Sequence, residues 1–232
     1  MQRILITGAN RGLGLEFATQ LLARGAHVVA TCRDPAKANA LNHLAAAHPG
    51  RLHVLPLDVS QPATIDELVR ETALVFDGLD TLINNAGVLV PGERFGSLDV
   101  QTMEHTFRVN AVGPVLVTQA CADLLRRGTT PKVANVSSQL GSIGHCGSFG
   151  TPSYSISKAA LNMGMVQLAH ALEPDGIPVL LLHPGWARTD MGGPNAQVDP
   201  AVAVAGMLRE IDALTLKTSG RFRDWQGHDL PW

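Results

Sequence analysis

The chain has 232 residues, enough to bury one hydrophobic core, so a single α/β domain over residues 1–232 is expected. Apolar residues make up 45% of the chain and charged residues 16%, a balance that excludes a disordered protein. The formal net charge is −2 and Lys and Arg are dispersed, which argues against nucleic acid as a partner.

Short strand-like runs alternate with longer helical patterns along the whole chain. Strands are predicted at Arg3–Thr7, His27–Thr31, Leu52–Leu57, Thr81–Asn84, Lys132–Val136, Pro178–Leu182 and Gly220–Arg223. Helices are predicted at Gly14–Arg24, Pro35–Ala47, Ile65–Phe76, Val100–Arg126, Pro152–Glu173 and Pro200–Leu214. The alternation predicts a doubly wound, seven-stranded parallel sheet with helices on both faces, in which ligands bind beyond the carboxyl ends of the strands.

A glycine-rich turn follows the first predicted strand. It reads Thr7-Gly8-Ala9-Asn10-Arg11-Gly12-Leu13-Gly14 and leads into a helix. Glycines let a backbone approach a pyrophosphate, which the N–H groups at the start of the helix then hold. An ordinary strand-to-helix turn is the alternative, but the position at the start of a βαβ unit indicates a Rossmann-type dinucleotide site.

The end of the second strand bears on which dinucleotide is bound. An acid at this point would accept hydrogen bonds from a ribose hydroxyl, whereas Arg would pair with a 2′-phosphate. Cys32 stands where the acid is expected, Arg33 follows it, and Arg11 lies within the glycine turn. These residues predict NADP(H) as the preferred cofactor, with NAD(H) possible because Asp34 could reach the ribose instead.

Two further segments follow strands and could lie near a cofactor. Asp58-Val59 ends the third strand, although Asp58 or Ser60 could equally cap the next helix. The fourth strand ends in Asn84-Asn85-Ala86-Gly87, whose small residues suit a backbone lying close to a ligand. Alone, this second segment could be any turn.

Tyr154 and Lys158 lie four residues apart at the start of a predicted helix and therefore share one of its faces. A lysine ammonium near a phenol lowers its pKa from about 10 and makes it usable in proton transfer. The alternative is an amphipathic helix surface. Tyr154 is the only tyrosine, and Ser138, which could hydrogen-bond a substrate carbonyl, ends the preceding strand.

Taken together, these motifs resemble the short-chain dehydrogenase/reductase family over essentially the whole chain. The combination of Gly-x-x-x-Gly-x-Gly, Asn-Asn-Ala-Gly, Ser138 and Tyr-x-x-x-Lys is specific, although each part is weak. Ser137–Met163 and the ending Ser219-Gly220-Arg221-Phe222 to Pro231-Trp232 are similar to the C-factor and sniffer-type carbonyl reductase branch.

The resemblance implies roles for several residues. Asp58 and Val59 would lie against the adenine, Asn85–Gly87 beside the adenosine ribose, and Pro184, Gly185 and Thr189 along the nicotinamide. Asn110, inside a predicted helix, would hold a water that connects Lys158 to solvent, with a buried structural amide as the alternative. Lys158 would also anchor the nicotinamide ribose, and Tyr154 would exchange a proton with the substrate.

Two features depart from the usual family pattern. Ser138 and Tyr154 are sixteen positions apart, with a glycine-rich insert over Gly141–Gly150 that could line the substrate cleft or form a surface loop. Only Met191–Asp199 separates Thr189 from the next helix, which predicts an open cleft. The predicted cleft walls are Leu140, Phe149, Trp186 and Met191, and they favour an apolar carbonyl substrate.

The expected function is NADP(H)-dependent hydride transfer between nicotinamide and a carbonyl or alcohol. A nucleotide-binding signalling protein with little turnover is the alternative, because C-factor is associated with intercellular signalling. Cys32, Cys121 and Cys146 lack Cys-x-x-Cys spacing and are expected to be reduced, and no metal site is expected. A cytoplasmic homodimer or homotetramer, with no membrane or nucleic-acid partner, is the predicted setting.

Overall fold

Seven parallel strands form one sheet in the order β3-β2-β1-β4-β5-β6-β7. The computed structural model describes all residues from 1 to 232. The strands are β1 Arg3–Ile6, β2 His27–Cys32, β3 Leu52–Pro56, β4 Thr81–Asn84, β5 Lys132–Val136, β6 Val179–His183 and β7 Arg221–Asp224. The chain reverses its direction of progress across the sheet between β1 and β4, which opens a crevice at the carboxyl ends of these strands.

Eight α-helices connect the strands. They are α1 Gly12–Ala23, α2 Asn39–Ala47, α3 Pro62–Val75, α4 Val100–Phe107, α5 Gly113–Ala120, α6 Ala122–Arg126, α7 Pro152–Leu172 and α8 Pro200–Ala213. A π-helical segment, Arg108–Val112, joins α4 to α5 without a break. The predicted doubly wound architecture is confirmed. No helix has both the length and the apolar character needed to cross a membrane.

The core divides into two hydrophobic clusters, one on each face of the sheet. In β1, Ile4 and Ile6 pack into one cluster and Leu5 into the other, because successive side chains of a strand point to opposite faces. Helices α1 and α8 cover the first cluster, and α3, α5 and α7 cover the second. Burial on both faces explains why the central strands read as continuous apolar runs.

An ion pair fastens the amino ends of β1 and β4, opposite the crevice. The Asp80 carboxylate accepts hydrogen bonds from the Arg3 backbone N–H (2.8 Å), Arg3 Nε (3.0 Å), Arg3 Nη2 (2.8 Å) and the Thr129 N–H (2.7 Å). Burial acts to raise the pKa of Asp80, but these bonds and the Arg3 charge lower it to about 2. The pair therefore stabilises the sheet while Asp80 is ionised.

Three local predictions are wrong. The helix predicted over Val100–Arg126 is interrupted by the π segment and again at Cys121, which lies between α5 and α6. Neither Asp58 nor Ser60 caps α3, whose N-cap is Gln61; Asp58 instead accepts bonds from the Ser60 N–H and hydroxyl at 3.0 and 2.7 Å. The segment predicted as one helix from Pro35 begins as a short 3₁₀ turn, Pro35–Lys37, before α2.

Candidate active site

The glycine turn between β1 and α1 is tightly packed against the segment after β4. Gly8 and Gly12 have φ values of 67° and 55°, which side chains other than glycine rarely adopt. A Cβ on Gly14 would lie 2.2 Å from the Gly8 carbonyl oxygen. The Thr7 hydroxyl accepts hydrogen bonds from the N–H groups of Asn85 and Ala86, both at 3.0 Å, so the two segments form one rigid rim.

A cavity of about 230 Å³ lies beyond the carboxyl ends of the strands. It brings together most of the predicted site residues: Gly8, Asn10, Arg11, Gly12, Leu13, Arg33, Asp58, Val59, Asn85, Ala86, Gly87, Tyr154, Lys158, Pro184, Thr189 and Met191. It is also lined by residues that were not predicted: Leu57, Val88, His105, Val109, Val136, Ser137 and Asp190. Val88 and Ser137 adjoin recognised motifs, whereas nothing in the sequence around His105 marks it.

Thr7 and Gly14 belong to the glycine turn but do not line the cavity. The Asn85 amide donates to the carbonyl oxygens of Thr7 and Gly8 at 3.0 and 2.9 Å. Gly185 also lies outside the lining; its φ of 74° favours glycine, and a Cβ there would in addition meet Trp225 Nε1 at 2.8 Å. These three residues shape the backbone rather than face the cavity.

The charges around the second strand are distributed unevenly. Arg33 lines the cavity. Partial burial acts to raise the pKa of Asp58, but hydrogen bonds from Ser60 and, to a smaller extent, the Arg33 charge lower it. Asp34 pairs with Lys37 at 2.9 Å, and Arg11 pairs with Asp190 at 3.1 Å in an exposed contact. Arg33 is therefore the cation left available on the cavity rim.

Tyr154 and Lys158 lie on the first turns of α7 and are 8% and 4% exposed. The Lys158 ammonium is 5.6 Å from the centre of the Tyr154 ring and donates a hydrogen bond to the Val136 carbonyl at 2.8 Å. Burial lowers the pKa of Lys158 to about 8. Burial also raises the pKa of Tyr154 to about 12, against a smaller lowering by a hydrogen bond with Ser138.

The direction of the Tyr154 shift is the opposite of the one expected from the sequence. The prediction rested on the Lys158 charge, which favours the phenolate. In the folded protein, desolvation of the buried phenolate is the largest influence on the pKa of Tyr154 and raises it. The phenol is consequently protonated at neutral pH, and most of the lysine population carries its charge. This combination suits donation of a proton by Tyr154.

Asn110 lies in the π-helical segment and is fully buried. Its amide accepts a bond from the Val88 N–H and donates to the Val88 carbonyl, both at 2.8 Å, and it donates to the Ser157 hydroxyl at 3.0 Å. Ser157 in turn donates to the Tyr154 carbonyl at 2.7 Å. The side chain of Asn110 thus links the segment after β4 to the tyrosine helix.

The predicted substrate residues are spread over several places. Met191 lines the main cavity, while Leu140 lines a second cavity of about 490 Å³ walled mostly by small polar residues. Phe149 packs edge-to-face against Phe95 at 6.0 Å, and Trp186 donates a hydrogen bond to the Gly192 carbonyl at 2.8 Å. Nothing in the sequence around Phe95 marks it as part of this cluster.

The chain is similar to one known protein family and to several solved structures. A family described as short chain dehydrogenase matches residues 2–199. The C-signal protein of Myxococcus xanthus is 46% identical over 154 residues, which are 66% of this chain and 93% of that protein.

Two solved structures resemble this one over its whole length. An NADPH-bound carbonyl reductase from chicken fatty liver has a TM-score of 0.95 and 35% identity, covering 100% of this chain and 99% of its own. The carbonyl reductase Sniffer of Drosophila melanogaster has a TM-score of 0.95 and 34% identity, covering 100% of both chains.

Proposed function

The chain belongs to the short-chain dehydrogenase family, in its carbonyl reductase-like branch, and we propose that it is an NADPH-dependent carbonyl reductase. The observation that carries the proposal is one cavity with two chemically different ends. The glycine turn and Arg33 follow β1 and β2, whereas Lys158 hydrogen-bonds Val136 at the end of β5, on the far side of β4, and Tyr154 lies one helical turn before Lys158. A dinucleotide spanning this cavity would place its reactive ring beside the phenol.

The residues at the nucleotide end fit NADPH. The N-cap of helix α1, Arg11, makes no side-chain capping bond, so the N–H groups of the first turn are available to a pyrophosphate. Arg33 is available for the 2′-phosphate, while Asp34 is held by Lys37 and would not repel it. Asp58 and Asn85–Gly87 would line the adenosine, and Pro184 and Thr189 the nicotinamide end.

The residues at the other end fit the reduction of a carbonyl group. The bound cofactor supplies the hydride to the carbonyl carbon. Tyr154, protonated at neutral pH, donates its proton to the carbonyl oxygen, and the charged Lys158 stabilises the phenolate that remains. Ser138, a hydrogen-bond partner of Tyr154, would donate to the same oxygen, and Asn110 holds the tyrosine helix in place through Ser157.

Loss of NADPH absorbance with a panel of ketones, aldehydes and quinones tests the proposal. We expect turnover by the natural sequence and a loss of about 100- to 10,000-fold in Tyr154→Phe, since general acid catalysis contributes roughly 10²–10⁴-fold. NADPH binding should stay within twofold, because the phenyl ring keeps the packing of the buried site. Full activity in Tyr154→Phe would refute the assignment.

Similarity to C-signal favours a second candidate, a nucleotide-binding signalling protein with little turnover. A reductase requires Tyr154, Lys158 and Ser138 for catalysis, whereas a protein that only binds a nucleotide does not. Tight NADPH binding together with no turnover of any carbonyl in the panel would favour signalling.

A further inference from the structure

Helix α7, which carries Tyr154, begins without a cap from its own segment. Its N-cap, Thr151, makes no side-chain capping bond, and its first turn holds no acidic residue. Thr151 has a φ of 42° and is the one non-glycine residue in the left-handed region. Pro152, the first helical residue, has no N–H to donate. The first free donor of the helix is therefore the N–H of Ser153.

Glu93 supplies the missing cap from a position 60 residues earlier in the chain. Its carboxylate accepts hydrogen bonds from the Ser153 N–H at 3.2 Å and from the Ser153 hydroxyl. The Ser153 side chain is buried, and Glu93 is partly buried. A carboxylate is favourable at this point because the amino end of a helix carries partial positive charge.

Glu93 belongs to the segment 88–98, which has no regular secondary structure between β4 and α4. Val88, at its start, lines the main cavity and is held by two of the three hydrogen bonds of the Asn110 amide. Phe95 packs against Phe149 of the insert that precedes α7. The segment is thus attached at the cavity, at the start of α7 and at the insert.

We propose that Glu93 is a positioning residue that sets the place of the Tyr154 hydroxyl by fixing the first turn of α7 against segment 88–98. Tyr154 immediately follows Ser153, so a shift of that turn moves the phenol relative to the cavity. Glu93 itself does not line the cavity and acts through Ser153. The catalytic part of the proposal rests on the carbonyl reductase function; the attachment itself does not.

The test compares Glu93→Ala, Glu93→Gln and Ser153→Ala with the natural protein. Glu104→Gln is the matched control, because Glu104 is an exposed glutamate on α4. Steady-state kinetics with a carbonyl from the panel, NADPH titration and amide hydrogen exchange are measured for each variant. Glu93→Ala removes both acceptors, Glu93→Gln keeps one acceptor oxygen, and Ser153→Ala keeps the N–H donor.

We expect kcat of Glu93→Ala to fall about tenfold while the NADPH dissociation constant stays within twofold. Glu93→Gln and Ser153→Ala should each fall by about threefold, and Glu104→Gln should not change. A merely structural cap would lower the melting temperature and leave kcat unchanged, and that result would overturn the proposal. A loss of NADPH affinity in Glu93→Ala as large as the loss of kcat would overturn it as well, since the damage would then lie in cofactor binding rather than in the position of the phenol.

Hydrogen exchange separates this proposal from the proposed function. In Glu93→Ala, the hydrogen-bonded amides of the two segments, Val88, Ser97, Ser153 and Ser155, should exchange at least tenfold faster, whether or not the protein reduces a carbonyl. Unchanged exchange in both segments would show that Glu93 does not hold them, and would refute the inference. If the natural protein shows no turnover but exchange is faster in Glu93→Ala, the reductase function and the effect of Glu93 on kcat are refuted. The attachment of segment 88–98 to α7 through Glu93 then still holds.

Discussion

Arg33→Ala should discriminate between the two nicotinamide cofactors. Arg33 lines the cavity and makes no side-chain hydrogen bond or ion pair within the protein, so the substitution removes little internal stabilisation. A hydrogen bond to a charged group contributes about 1.5–3 kcal/mol. Loss of this contact should weaken NADPH binding by roughly 10- to 150-fold, because 1.4 kcal/mol corresponds to a tenfold change. NADH, which lacks the 2′-phosphate, should be affected less than about threefold.

Arg11→Ala provides a graded comparison. Arg11 already pairs with Asp190, and both side chains are more than two-thirds exposed, at 70% and 76%. An exposed pair contributes about 0–1 kcal/mol, which Arg11 must give up before it binds a phosphate. The expected loss of NADPH affinity in Arg11→Ala is therefore about fivefold, from a net contact of about 1 kcal/mol.

Titration of each variant with NADPH and with NADH, followed by cofactor fluorescence, measures these effects. Arg70→Ala, which changes an exposed arginine on α3, is the control and should bind both cofactors normally. Equal losses for NADPH and NADH in Arg33→Ala would refute the assignment of Arg33 to the 2′-phosphate. A larger effect at Arg11 than at Arg33 would mean that the Asp190 pair opens at little cost and that Arg11 is the main phosphate ligand.

Two further predictions concern stability. Asp80→Asn should lower the free energy of unfolding by about 2 kcal/mol at pH 7, since the pKa falls from 3.8 to about 2 on folding. Because the pKa of Asp80 is depressed in the folded protein, the difference in unfolding free energy should be complete above pH 4 and disappear as pH falls toward 2. Urea denaturation at several pH values measures this difference. A difference that does not change with pH would contradict an origin in the Asp80 charge. Gly14→Ala should lose about 2 kcal/mol or more and weaken NADPH binding, because its Cβ would meet the Gly8 carbonyl oxygen at 2.2 Å. Gly147→Ala, with no atom within 4 Å of the added Cβ, should melt like the natural protein, and equal melting of both variants would contradict the clash.

The sequence predicts the sheet well because its strands are apolar runs bounded by turn residues. Thr81–Asn84 and Lys132–Val136 have the predicted bounds, and the other strands differ by one residue at one or both ends. The glycine turn and the Tyr154–Lys158 pair could be recognised because each lies within a short stretch of chain. The cavity then brings these local motifs together, as the doubly wound topology requires.

What the sequence missed depends on burial or on distant contacts. The pKa of Tyr154 moves upward because the phenol is buried, and burial could not be deduced from the spacing to Lys158. Glu93 meets Ser153 only in the folded chain, so nothing near Glu93 marks it as a cap. The break in the helix from Val100 had a local signal, since Pro114 cannot donate the α-helical bond to the Asn110 carbonyl.

The π-helical segment has a consequence for helical phase. A π turn accommodates one residue more than an α turn, so side chains on either side are offset by about 100° relative to a continuous α-helix. With this offset, α4 presents His105 to the main cavity while α5 packs Val117 into the core. Straightening the segment would make a more regular helix whose two ends could not both face inward. The irregular turn therefore lets one stretch of chain serve the cavity and the core at once.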